Sequence, residues 1–155
     1  MKSHINIILV SLNDKLARSV ARSLADSLDM LSADCHEMIV YNLTNPKEVV
    51  EKCGLEYYKK KEKGVVRNCS EYLDTVISIS YDLFKTYQHF FTNSLVVYLA
   101  LPQGLEDKIP NEIDFETRDS FLKENSQIVV GYGQKSAKQF LELTLKKLGE
   151  YYENC

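Results

Sequence analysis

The side chains best placed for chemistry fall in the run Ser11-Leu12-Asn13-Asp14-Lys15-Leu16-Ala17-Arg18-Ser19. An apolar, β-branched segment (Ile5, Ile7, Ile8, Val10) precedes it, and Leu16, Val20, Leu24 and Leu28 recur every four residues after it. The pattern predicts a strand, a turn and an amphipathic helix, with Lys15 and Arg18 in the helix's first turn. Free N–H groups and the helix dipole there favour an anion, and many nucleotide-binding α/β domains hold phosphate at such a turn. Here the turn has no glycine, and no lysine closes a glycine loop. Two readings remain: Lys15 and Arg18 form an anion site of their own, or they are solvated cations beside Asp14.

A second concentration of charge is Lys59, Lys60, Lys61 and Lys63, interspersed with Glu56 and Glu62. A run of this kind is either a solvated helix face or a surface that meets an anionic ligand. Cys35, Cys53, Cys69 and Cys155 form no CxxC pair, and none stands at metal-ligand spacing with His4, His36 or His89. They read as free thiols of a reducing cytoplasm, and no metal site is expected.

The elements that must position these residues belong to one domain, because 155 residues suit a single core. A net charge of −3 argues against a nucleic-acid binder that works by phosphate neutralisation, although a local basic face stays open. No run approaches the roughly 20 apolar residues of a membrane helix. The short N-terminal apolar run leads into Asn13, Asp14 and Lys15 rather than a cleavage site, so it reads as a first strand and the protein as cytoplasmic. Ten tyrosines, including Tyr57-Tyr58 and Tyr151-Tyr152, either cover a small core or mark a contact surface.

Along the chain, residues 29–33 allow a brief strand, and residues 34–42 a short helical or irregular segment. Asn45 as N-cap, Pro46 at the first position and Glu48 at the third predict a helix that stops at Gly54. A helix over Leu55–Arg67 follows, then a strand at Thr75–Ile79, a helix at Tyr81–Phe91 and a strand at Ser94–Leu101. A loop from Pro102 to about Asp114 leads to a helix at Phe115–Asn125, a strand at Gln127–Val130, a turn at Gly131-Tyr132-Gly133 and a closing helix at Ser136–Tyr152. Strands buried on both faces and alternating with helices imply a three-layer α/β sandwich around a mainly parallel five-stranded sheet.

The order of motifs resembles shikimate kinase, a small P-loop kinase of the nucleoside-monophosphate-kinase type, over nearly the whole chain. The family's LVGxxGSGKSTxGRxLAxxLG runs without a gap beside LVSLNDKLARSVARSLADSLD, matching Leu9, Val10, Arg22, Leu24, Ala25 and Leu28. Asp34 falls on the first Asp of the family's DTD, and GExxFRxxE resembles the stretch from Gly54 to Glu62, with Tyr58 for Phe and Lys59 for Arg. VVYL at Val96–Leu99 matches the fourth strand, and RxPLY resembles the segment from Arg118 to Leu122.

The resemblance implies a P-loop kinase-like fold and a place in aromatic amino acid biosynthesis, but it also shows departures. The family's phosphate-loop glycines fall on Ser11, Asp14 and Leu16, its phosphate-contacting lysine on Ala17 and its Mg²⁺-binding serine on Arg18. Asp14 thus puts a carboxylate where phosphate would lie. The aspartate that holds the sugar hydroxyls falls on His36, the glycine triplet on Ser80-Tyr81-Asp82, with Tyr81 in the substrate's space, and the lid segment 100–117 has no arginine. Asp34, Lys59 and Arg118 are left as ligand-binding residues, Lys59 keeping the charge without arginine's bidentate fork; the other reading makes Asp34 a helix cap and Arg118 a solvated cation. The expected function is a degenerate shikimate-kinase-like protein without kinase activity, with no catalytic residue, cofactor, nucleic acid or membrane, that binds a small anionic metabolite or a protein partner. The alternative is an active shikimate kinase or related phosphotransferase with a rebuilt site, using ATP and Mg²⁺. A third reading is an oligomerisation unit.

Overall fold

The computed structural model describes residues 4–108, 114–131 and 136–153. Its centre is β1 (Asn6–Ser11), buried at every position. On either side lie β3 (Thr75–Ile79) and β4 (Ser94–Leu99), with β2 (Leu31–Asp34) and β5 (Ile128–Val130) at the edges. All four pairings are parallel, in the order β2-β3-β1-β4-β5, with Leu9 opposite Ser78 on one side and Val97 on the other.

Because strand side chains alternate, each central strand feeds two cores. Ile8, Val10, Ile77, Ile79, Val96 and Tyr98 face Cys35, Ile39, Val66, Phe84 and Leu122. Those partners come from α2 (Cys35–Leu43), α4 (Leu55–Ser70), α5 (Tyr81–Thr86) and α6 (Phe115–Glu124). Ile7, Leu9, Val76, Leu95, Val97 and Val130 face the other way, against Val20, Leu24, Phe140 and Leu148 of α1 (Asp14–Leu28) and α7 (Ala137–Glu153). The three layers follow directly. No described helix is long and apolar enough to cross a membrane.

Several boundaries differ from the sequence reading. β2 is not buried on both faces: Leu31 is 71% exposed, because this strand is an edge with a neighbour on one side only. The segment Tyr81–Phe91 is not one helix; it breaks at Tyr87 (φ −114°, ψ 25°) into α5 and a 3-10 turn, Gln88–Phe91. At that break the Tyr87 hydroxyl donates to the buried Glu62 carboxylate, 2.8 Å away. Leu28 is 37% exposed, since spacing by four drifts about 40° per step from a 3.6-residue turn and carries the far end off the core face. Ala17, Ala21 and Ala25 are buried beside Val20 and Leu24 instead. α4 continues to Ser70, β4 stops at Leu99, β5 begins at Ile128, and residues 132–133 of the expected turn lie outside the described residues.

α3 (Pro46–Cys53) starts as its sequence dictates: Asn45 accepts a hydrogen bond from the Glu48 N–H at 3.2 Å, and Pro46 fills the first turn.

Candidate functional site

In an open parallel sheet, ligands collect beyond the carboxyl ends of the strands. There the chain ends of β1 and β3, the first turn of α1, the loop after β4 and the start of α6 enclose a cleft of about 450 Å³. Ser11, Asp14, Lys15, Arg18, Asp107 and Arg118 line it, together with His36, Ser80, Tyr81 and Asp82.

The α1 terminus is built without glycine. Asn13 is extended (φ −122°, ψ 104°) and caps the helix, its Oδ1 accepting from the Leu16 N–H at 3.0 Å. Its own N–H donates to Ser11 Oγ at 3.2 Å, and its amide donates to the Leu105 carbonyl at 3.2 Å. The Asp14 N–H donates to Asp107 Oδ2 at 2.8 Å, while the Asp107 N–H donates to the Leu12 carbonyl at 2.8 Å. The loop after β4 is therefore strapped across the helix start. Two N–H groups of the kind a bound phosphate uses are taken by the chain's own Asn13 and Asp107 oxygens.

Two carboxylates then crowd one helix end. Burial pushes the Asp14 carboxyl up to about 6; the nearby Asp107 and, less strongly, Asp34 add to the rise, while Arg18 and His36 oppose it. Lys15 is exposed and Arg18 half-buried. Ala17 is buried within α1 and offers no charge to the cleft.

Arg118 enters from the first turn of α6, which Asp114 caps by accepting from the Thr117 N–H at 2.9 Å. The residue is only 6% exposed, and its Nε has no hydrogen-bond partner among the described residues. The acid beside it is engaged elsewhere: Asp119 accepts from the Tyr98 hydroxyl and pairs with Lys123 at 2.8 Å. Glu106, also buried, is held by a Gly104 N–H at 2.6 Å. Burial alone would raise its carboxyl, yet it lies below its ordinary value because its own and the Gly104 N–H groups donate to it and Lys108 and Arg118 stand near.

Tyr81 lines the same cleft, 7% exposed, with no hydrogen-bond partner for its hydroxyl among the described residues. Its ring sits edge-on to Phe121 at 5.8 Å and beneath the Lys85 ammonium at 5.8 Å.

The three residues of the expected ligand set are not brought together. Asp34 caps α2, accepting from the Glu37 N–H at 3.0 Å and from Ser78 Oγ at 2.6 Å, so both oxygens are engaged. It lines a separate hollow of about 40 Å³ behind Arg18. Lys59 is 57% exposed, 3.5 Å from Glu62, and lines no part of the cleft. Only Arg118 joins Ser11, Asp14, Lys15 and Arg18. Sequence reasoning missed Asp107 and the buried Glu62. Asp107 was traceable in principle, since loops after neighbouring parallel strands emerge at the same sheet edge. No group of three or more potential metal ligands occurs among the described residues.

No family model matches the sequence, and no curated protein sequence does. Solved structures do match. A shikimate kinase from Aquifex aeolicus is 17% identical, with 96% of this chain and 98% of that one covered at a TM-score of 0.67. A shikimate kinase from Acinetobacter baumannii, solved in complex with shikimate, is 19% identical over 99% and 96% at 0.68. A gluconokinase from Sinorhizobium meliloti is 10% identical over 98% and 96% at 0.57. The fold is shikimate-kinase-like, a P-loop kinase-like α/β sandwich.

Proposed function

We propose that this chain is a degenerate member of that fold, a cytoplasmic protein that transfers no phosphate and holds a small anionic metabolite in the cleft. The observation that carries the reading is Arg118: a buried guanidinium with no acceptor on its Nε among the described residues, set in a cleft whose helix end is occupied by Asp14 and Asp107. A buried donor without a partner costs about 1–3 kcal/mol, and a ligand carboxylate satisfies two guanidinium N–H groups at once. Lys15 and Arg18, which line the same cleft, add positive charge.

Nucleotide chemistry is disfavoured by the same residues. A phosphate 5 Å from an ionised Asp14 meets about 3 kcal/mol of repulsion per unit charge at an effective dielectric of about 20. The sequence supplies Ala17 where the resemblance expects the lysine that neutralises transferring charge. ATP and Mg²⁺ are accordingly not expected as cofactors. The cleft's size and buried cation favour a small acid over a protein partner.

Titration calorimetry with shikimate and a panel of hydroxy acids, run beside a coupled assay with ATP and Mg²⁺, tests the reading. The expected result is acid binding that Arg118→Ala abolishes, with no turnover. Mg²⁺-dependent ATP turnover that Asp34→Asn abolishes would establish the active-kinase alternative instead, and failure of every acid to bind would remove the metabolite reading.

A further inference from the structure

A second concavity, about 700 Å³, lies between the end of α2 and the middle of α4 and shares no lining residue with the cleft. Its walls carry Lys60, Lys61, Lys63 and Arg67, and no carboxylate lines it among the described residues. In a chain of net charge −3 this is a marked segregation of charge. Lys63 and Arg67 stand four apart on one helix face, a like-charge spacing that weakens a helix. None of the four makes an ion pair with a carboxylate among the described residues, whereas neighbouring Lys59 and Lys52 do.

Two of these cations are held by rings rather than acids. The Lys61 ammonium lies 5.5 Å from the Tyr57 ring centroid, and the Arg67 guanidinium 5.3 Å from that of Phe90. Contact with a ring face restricts a cation while leaving its N–H donors free. Between them Gly64 removes side-chain bulk from the helix, and a Cβ built there meets nothing within 4 Å. The Asn68 side chain and the Leu43 end of α2 complete the concavity.

From this arrangement we infer a second ligand site, distinct from the Arg118 cleft, that takes a small polyanion bearing two or more phosphate-type groups. Four cations around one concavity match several linked negative charges better than one carboxylate. The volume is that of a small-molecule site, which favours a compact polyanion over an extended nucleic-acid strand.

Inorganic tripolyphosphate is the probe, titrated into the full chain by calorimetry with a single-stranded oligonucleotide as the comparison arm. Saturable one-site binding is expected, weakening with added salt. Lys60→Glu/Lys63→Glu should lower affinity by about tenfold or more. Both positions are solvent-exposed, so the fold is retained. Gly64→Leu fills the concavity without changing charge and should lower affinity comparably; circular dichroism checks the helix, which leucine favours over glycine. Arg118→Ala should leave tripolyphosphate affinity unchanged, so this site and the cleft succeed or fail separately. No tripolyphosphate binding, binding lost only in Arg118→Ala, or loss on charge reversal but not in Gly64→Leu overturns the proposal. Oligonucleotide binding with no tripolyphosphate binding overturns it in favour of a nucleic-acid surface.

Discussion

The Asp14 N–H donates to the carboxylate of Asp107, 2.8 Å away and 93 residues later in sequence. This contact places a protein carboxylate at the helix end where P-loop folds receive phosphate, and it joins the loop after β4 to the first turn of α1. Replacing Asp107 by alanine should lower stability by about 1 kcal/mol through loss of a charge-assisted bond at a helix N-terminus. It should also make sulfate more stabilising for the variant than for the parent. Paired thermal melts with and without sulfate measure both effects.

Asp14 makes stability pH-dependent with a defined sign. Its folded-state carboxyl is raised to about 6 from an ordinary 3.8. The folded state therefore binds the proton more tightly than the unfolded chain, and Asp14's contribution worsens as pH rises from about 4 to 6, with the full penalty present above 6. Asp14→Asn should stabilise the protein at pH 7.5 by about 1–2 kcal/mol after allowance for partial exposure, and by much less at pH 4. Urea midpoints at the two pH values test this.

Arg118 should behave as a residue kept for binding. Arg118→Met removes a buried, incompletely paired cation but also takes a positive charge from beside the buried Glu106, so it should change stability by no more than about 1 kcal/mol in the absence of ligand. The same substitution should abolish acid binding in the cleft. A melt and a titration on one preparation separate the two effects, and a larger loss of stability in Arg118→Met would show that the cation is structural.

Glu62 and Glu48 offer a contrast within one charged region. Glu62 is buried and accepts from the Tyr87 hydroxyl at 2.8 Å, while Glu48 pairs with Lys52 in the open. Tyr87→Phe should cost about 1.5–3 kcal/mol, because a buried carboxylate loses a donor. Lys52→Ala should change stability by no more than about 0.5 kcal/mol. Chemical denaturation of both variants decides the ranking.

Much of the fold is legible in the sequence because its signals are local. The runs at Ile7–Val10, Thr75–Ile79 and Val96–Leu99 are short and rich in β-branched residues, the composition of a strand buried on both faces. Asn45-Pro46-Lys47-Glu48 announces α3 through atoms within one turn. The site is less legible because its decisive contacts are distant. Nothing near Glu62 marks one acid of a charge run as buried; Tyr87, 25 residues on, supplies the reason. Nothing near Asp14 announces Asp107. Asp34 and Arg118 look alike as candidate ligand groups, yet one is spent on capping α2 and the other faces the cleft.

The strand order has a consequence for synthesis. β1, buried at every position and central in the sheet, has as its neighbours residues 75–79 and 94–99. At a typical 5–20 residues per second, the ribosome needs about 3–13 s after completing β1 to reach its first partner. Through that interval Ile7, Ile8, Leu9 and Val10 have no sheet to join, and α1 is the segment made in time to shelter one of their faces. The nascent chain therefore depends on a helix that begins at Asp14, so the residues of the turn also act on the earliest structure the polypeptide can form.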